Sequence, residues 1–233
     1  MNWIENLEQN GYAILEDIVS PETVATLVHA IESLKNPAKS KGLYAMRNLM
    51  EEVSAVRQLA DSPPIRNLVE PILGKSAFPV RSLLFDKTPD ANWKVAWHQD
   101  LSIAVNTRVD LEGFGPWSTK AGVLHVQPPT SILEQMVTVR LHLDDCGLEN
   151  GPLQVLPGSH TQGKLDAKQI TNQRKHTPAV PCTVKSGGVV LMRPLILHAS
   201  STATKPGHRR VIHLEFASAP LPHGLAWAFQ EHS

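Results

Sequence analysis

Several things are scarce in this 233-residue sequence, and each scarcity closes a line of interpretation. Only two cysteines are present, Cys146 and Cys182. They lack metal-type spacing and argue against a disulfide framework, which fits a reducing cytosol. No apolar run approaches the ~20 residues of a membrane span. The opening MNWIENLEQNGYAILED carries acids early and has no uninterrupted apolar stretch. The expectation is therefore a chain without a secretory signal, located in the cytoplasm. Net charge is also missing, since 22 basic residues face 22 acidic ones. Such a balance offers neither a nucleic-acid footprint nor a polybasic membrane patch. There is no G-x-S-x-G nucleophile elbow and no G-x-x-x-x-G-K-[ST] phosphate loop, so neither a serine hydrolase of that type nor a P-loop enzyme is indicated. Internal repeats and low-complexity segments are absent as well.

What is abundant is proline, with 18 residues, and histidine, with 11. Proline at this density suits short strands and many loops better than a helix bundle. The histidines prompt a search for metal or acid–base chemistry. The length permits one large core, and the expected organisation is a single domain over 1–233. It divides into a helical part over about 1–75, a β-core over about 76–218, and a short C-terminal extension, 219–233.

In the first part, GYAILEDIV reads as a strand. A helix follows, with Ser20 as N-cap and Pro21 in its first turn. Val24, Leu27, Val28, Ile31 and Leu34 then form one apolar stripe. RNLMEEVSAVRQLAD predicts a second helix. A third starts at Pro63-Pro64 and stops at Gly74.

From Pro79 the texture becomes β-rich: VRSLLFDKT, KVAWHQDLSIAV, MVTVRLHLDD, GPLQVLPGSH, VVLMRPLILHAS and RRVIHLEFAS, with turn signals between them. Helices followed by a run of strands predict an α+β protein with a double-sheet β-core. Residues 106–135 lack clear periodicity and look like a long excursion of the kind that serves as a lid or binding loop. Trp117 within it is either a lid residue or loop packing. Trp97, pointing away from its neighbour His98, reads as core.

Three features carry chemistry. His98 and Asp100 stand two apart in a strand-like run, so strand parity puts both on one face. A hydrogen-bonded pair and two metal ligands are equally good readings of that triplet alone. His198 ends an apolar run, and by itself a satisfied core histidine is the favoured reading. Together, two histidines and a carboxylate are the facial triad that binds non-haem Fe(II) with open positions remaining. Arg209 follows His198 after a TKPGH turn that would return the next strand antiparallel. There its guanidinium would pair with a far carboxylate of 2-oxoglutarate. Ser200 shares the strand face of His198 and adds a hydroxyl. Parity separates Arg209, Val211, His213 and Glu215 from Arg210, Ile212, Leu214 and Phe216 without saying which set faces inward, and a pair of solvated turn residues is the rival reading for Arg209 and Arg210.

His98-x-Asp100, ENGPLQVLPGSH at 149–160, and then His198, Ser200 and Arg209 resemble the phytanoyl-CoA dioxygenase family. The N-terminal NGYAILEDIVSPETVATLVHAI is similar to that family's opening segment, and the resemblance spans roughly residues 8–217 with a gap over 106–135. It implies a double-stranded β-helix (jelly-roll, cupin-like) core with the N-terminal helices packed on one sheet. It implies a non-haem Fe(II)- and 2-oxoglutarate-dependent dioxygenase that uses dioxygen, hydroxylates a C–H bond of a small molecule, and releases succinate and CO2. His98, Asp100 and His198 would be the iron ligands, and Arg209 and Ser200 would hold the C5 carboxylate of 2-oxoglutarate. Iron halogenases of related folds have a small residue where Asp100 stands, so hydroxylation, or another oxidation of a C–H bond, is the expected outcome.

His160 is tempting as a further ligand, but a turn-capping role is favoured. Arg140 and His142 share a face of MVTVRLHLDD, with Arg81 and Lys94 on flanking strands. If they face the interior, either the substrate carries an acidic group or one of them contacts the C1 end of 2-oxoglutarate; a solvent face is the equal alternative. Two rival functions remain: a cupin-like metal protein that does not use 2-oxoglutarate, and a jelly-roll module that binds without turnover.

Overall fold

In a computed structural model, residues 2–34 and 45–229 are described. Residues 35–44 of the expected helical part, and the last four of the C-terminal extension, lie outside them.

Helix α1 (Trp3–Asn10) and strand β1 (Tyr12–Leu15) open the chain. Helix α2 (Pro21–Ser33) starts as its sequence predicts: Ser20 Oγ accepts from the Thr23 amide at 3.3 Å. Its stripe buries Val24, Leu27 and Ile31, each worth about 1.5–3 kcal/mol on full burial. After β2 (Ala45–Arg47) comes a departure. The expected second helix is two short ones, α3 (Leu49–Glu52) and α4 (Ser54–Ala60). Val53 between them is extended (φ −128°, ψ 99°) and buried in the core, so tertiary packing overrides local helix preference there. Helix α5 (Pro63–Leu73) ends on Gly74 at φ 84°, whose amide bonds the Glu70 carbonyl.

The β-core comprises β3 (Phe78–Lys87), β4 (Val95–His98), β5 (Ile103–Val105), β6 (Trp117–Lys120), β7 (Val123–Val126), β8 (Val137–His142), β9 (Leu153–Val155), β10 (Val180–Cys182), β11 (Val189–Met192), β12 (His198–Ser200) and β13 (Arg209–Ala217). Helices α6 (Thr130–Glu134) and α7 (Ala167–His176) interrupt it. Among the described residues the strands form three sheets, ordered β1-β11-β8-β13-β3-β2, β10-β9-β12-β4 and β5-β7-β6, with antiparallel pairing throughout. The first two are the facing sheets of a jelly roll. The N-terminal part is thus not purely helical, because β1 and β2 form both edges of the large sheet.

The large sheet has two unlike faces. Its outer face (Leu84, Val139, Leu141, Leu191, Ile212, Leu214) packs on the N-terminal helices in one apolar cluster. Its inner face presents Thr138, Arg140 and His142 from β8, and Val211, His213 and Glu215 from β13, all buried. This settles the parity question: the polar set faces inward. Asp144, just past β8, leaves that face and pairs with Arg210 at 2.6 Å on the outer side. At one end of the roll the two sheets meet through Leu153, Val155, Cys182, Val190 and Met192.

Residues 106–135 are more ordered than their sequence suggests. They supply β6, β7 and α6, and the small sheet packs through Val105 and Val126 against Leu225 and Trp227. None of the described helices is long and apolar enough to cross a membrane.

Candidate metal and cosubstrate site

The run KVAWHQDLSIAV is not one strand. Strand β4 ends at His98 and β5 begins at Ile103 in a different sheet, so parity is not what brings Asp100 beside His98. Gln99 does it. Its side-chain amide donates to the carbonyls of Gly163 (2.8 Å) and Leu195 (2.7 Å), and its carbonyl oxygen accepts from the Leu165 amide (2.8 Å). The Asp100 amide is held in turn by the Pro194 carbonyl at 2.9 Å. With Gln99 turned outward, its two neighbours turn inward.

His198 reaches the same point from β12, where it pairs directly with His98 across the sheet. The imidazole centroids are 4.2 Å apart. Each ring is set by its own strand: Nδ1–H of His98 donates to the Ala96 carbonyl (2.8 Å), and Nδ1–H of His198 to the Ile196 carbonyl (2.9 Å). Those bonds assign the proton to Nδ1 and leave the Nε2 lone pair free, the tautomer a metal ligand needs. The Nε2 atoms lie 3.8 and 3.7 Å from the Asp100 carboxylate oxygens, beyond good hydrogen-bonding distance. Asp100 Oδ2 is buried with no hydrogen-bond partner. Three ligand atoms within 4.8 Å of one another, aimed at a common point yet not bonded to each other, can hold a metal ion. Burial pushes His198 down to about 4, so it stays neutral near pH 7. Burial alone would raise the Asp100 carboxyl, but the electrostatic surroundings formed by His198, His213, His98 and Arg81 lower it below its ordinary value.

Beside this cluster is a cavity of about 110 Å³ whose walls include Arg140, Arg209, Ser200 and His213. Arg209 is buried in the site, not solvated at a turn. Its Nη1 donates to the Gly151 carbonyl. Gly151 must be glycine: its φ is 62°, and a Cβ would collide with the Ser201 carbonyl oxygen. The ENGP turn thereby fixes Arg209. Ser200 Oγ accepts from Lys87 Nζ at 3.1 Å, leaving its own proton to donate. Lys87 is fully buried and sits opposite Arg209 in the β3–β13 pairing. Burial, with repulsion from Arg209, pushes its ammonium down to about 8.

Arg140 begins a polar relay along the cavity floor. Its Nη1 donates to His213 Nδ1 (2.7 Å), His213 Nε2–H donates to Glu215 (3.1 Å), and Glu215 accepts from Arg81 (3.0 Å). Burial and repulsion from Arg209 hold Arg140 down at about 10. The Nε atoms of both Arg140 and Arg209 are buried without partners. Two guanidiniums line a cavity whose single lining carboxylate among the described residues is Asp100. That donor set fits a small dianion bound next to a metal.

The structure thus brings His98, Asp100, His198, Ser200 and Arg209 together. It also adds Gln99, Lys87, Arg140 and His213, which sequence reasoning either passed over or gave no definite place. Other expectations change. Trp97 is half-buried under Arg174, 5.8 Å away, and is not core. Lys94 is exposed, and Arg81 is neutralised by Glu215. His142 is buried, with neither ring nitrogen bonded. His160 has the structural role favoured for it: its Nε2–H donates to the Glu8 carbonyl at 3.0 Å, and its ring packs against Gly11.

Comparison with known proteins decides the lineage. The model of the phytanoyl-CoA dioxygenase family matches residues 7–211. This chain belongs to that family. A curated member, phytanoyl-CoA dioxygenase domain-containing protein 1 of Danio rerio, is 25% identical over 175 residues, covering 66% of this chain and 50% of its own length. The chain spans about half the length of the curated family relatives it matches. Among solved structures, EctD from S. alaskensis, determined with 2-oxoglutarate and 5-hydroxyectoine, superposes with a TM-score of 0.70 at 20% identity, over 92% of this chain and 74% of that one. HygX from Streptomyces hygroscopicus, determined with iron bound, gives 0.67 at 14%, over 93% and 86%. These structural likenesses establish a shared fold.

Proposed function

We propose that this family member is an Fe(II)- and 2-oxoglutarate-dependent oxygenase that hydroxylates a C–H bond of a small molecule. One observation carries the reading: three ligand atoms converge with both histidine Nε2 lone pairs free, and they adjoin a cavity lined by two buried, under-bonded guanidiniums. His98, Asp100 and His198 would hold the iron. Arg209 and Ser200 would bind the far carboxylate of 2-oxoglutarate, and Arg140 contributes positive charge to the same cavity. Bound iron, with 2-oxoglutarate and dioxygen, supplies the oxidising power. The chain's own contribution is placement. Backbone carbonyls orient the imidazoles, Gln99 orients the loop that carries Asp100, and the relay from Arg140 to Arg81 fixes the floor. The carboxylate at position 100 fills the place that halogenases of related folds leave to a small residue, which supports hydroxylation.

The test is spectroscopic. Anaerobic protein loaded with Fe(II) should develop a weak visible charge-transfer band on addition of 2-oxoglutarate, and a His198→Ala variant should lose it. A folded wild-type protein that binds Fe(II) without developing the band is the result that would instead favour a cupin-like metal protein. We also infer a cytoplasmic location, supported by two buried free thiols; cell fractionation checks it.

A further inference from the structure

A second cavity, of about 360 Å³, adjoins the first and shares His98, Asp100, Phe85 and His213 with it. Its remaining charged lining is Arg47, Arg81, Lys120 and Glu215, and Leu83 gives it an apolar side. The volume is at the small end of the range for metabolite pockets, roughly 300–1,000 Å³.

The charges in this chamber do not balance. Glu215 is committed, accepting from Arg81 at 3.0 Å and from His213 at 3.1 Å. Asp100 belongs to the metal cluster. Arg47 and Lys120 make no side-chain hydrogen bond or ion pair among the described residues. They come from separate elements: Arg47 from β2 at the edge of the large sheet, Lys120 from the end of β6 in the small one. Both open onto a cavity walled by His98 and Asp100. Arg47 is exposed at the mouth of the chamber and Lys120 half-buried; partial desolvation and repulsion from Arg81 push both below their ordinary values, with Arg47 acting on Lys120 as well. A bound anion would relieve both effects. Leu83 and Phe85 provide an apolar surface beside the cations.

We propose that Arg47 and Lys120 form an anion-recognition subsite, and that the substrate is a small organic anion with an apolar segment. Its carboxylate or phosphate oxygens pair with these two cations. The inference rests on the oxygenase reading, since it treats this chamber as the substrate side of the metal. It replaces Arg140, His142 and Lys94 as the basis for expecting an acidic substrate: Arg140 belongs to the first cavity, and His142 and Lys94 line neither.

The test is direct binding. Protein is loaded with Ni(II) and saturating 2-oxoglutarate, which fills the first cavity and prevents turnover. It is titrated by calorimetry with short aliphatic and aromatic carboxylates, each paired with its primary amide, and with phosphate monoesters paired with their parent alcohols. The expected result is a carboxylate or phosphate bound at least about tenfold tighter than its neutral partner, as a charge-assisted pair provides. Arg47→Gln with Lys120→Gln should abolish that preference, each single substitution should weaken it, and Arg47→Lys with Lys120→Arg should keep it. Which probe series shows the preference distinguishes carboxylate from phosphate. A preference that never appears, or that survives the double substitution, overturns the proposal. The titration is repeated without metal and 2-oxoglutarate. If 2-oxoglutarate itself fails to bind, the oxygenase reading falls, while the double variant still reports whether this chamber selects anions.

Discussion

Gln99 is the residue on which the metal cluster leans most, although it is not a ligand. It is 6% exposed and makes three hydrogen bonds of 2.7–2.8 Å, to two carbonyls and one amide on two separate segments. The pattern also fixes its orientation, since only the amide nitrogen can donate to both carbonyls. Replacing it with leucine keeps the bulk and removes all three bonds. At about 1 kcal/mol per bond the loss is about 3 kcal/mol, before any further cost for orphaning buried backbone groups. For a chain of this size that corresponds to a fall of roughly 6–12 °C in melting temperature. If Gln99 also aims its neighbours, Ni(II) affinity, measured well below the melt, should fall by about tenfold or more. Gln99→Glu sharpens the test. Its carboxylate would face two carbonyl oxygens, so its folded pKa must rise above the ordinary ~4.3. The penalty is absent below the unfolded value and grows as pH rises toward the folded one. The Gln99→Glu deficit should therefore widen with pH, whereas the Gln99→Leu deficit should stay flat. A Gln99→Leu protein melting within about 2 °C of wild type would refute the clamp. One that melts low but binds Ni(II) normally would show a structural tie without a role in aiming the ligands.

Two further outcomes follow from the first cavity. Arg209→Lys keeps a charge but loses the planar fork, so 2-oxoglutarate affinity by anaerobic titration should drop about tenfold to a hundredfold while metal affinity alone is unchanged. Lys87 titrates at about 8 behind Ser200 and adds positive charge only when protonated. Affinity for 2-oxoglutarate should accordingly be high below pH 8 and fall as pH rises through it, and Lys87→Met should flatten that slope.

The comparison between sequence and structure turns on which contacts are local. The cap of α2 and the Gly74 stop were legible because both are made within a few residues of where they are read. The hairpin of β6 and β7 was missed for an equally local reason. Its two-residue turn is Ala121-Gly122, both at positive φ (49° and 77°), where Asn-Gly or Asp-Gly would have been the recognisable signal. The break at Gln99 could not be read, because its cause lies in carbonyls 64 and 96 residues downstream.

The inner face of the roll shows why parity left the interior undecided. Alternation in β8 separates Val137, Val139 and Leu141 from Thr138, Arg140 and His142, and a solvated strand would show the same pattern. Period two distinguishes two faces; it does not distinguish water from a polar cavity. The deciding information is what covers the apolar face. Helices α2, α4 and α5 bury it, so the polar face is left to the interior, where every group needs a partner or a ligand. There Arg140, His213, Glu215 and Arg81 hydrogen-bond one another in sequence, although Arg140 Nε stays unpaired. Arg209 reaches Gly151 yet keeps a buried Nε unpaired, and Asp100 keeps Oδ2 unpaired. Unmet hydrogen-bonding capacity at Asp100, Arg140 and Arg209 thus borders the cavity where metal and cosubstrate are proposed to bind, while Thr138, His142 and His160 carry further unpartnered atoms away from it; a folded interior tolerates the former most readily when ligands complete it.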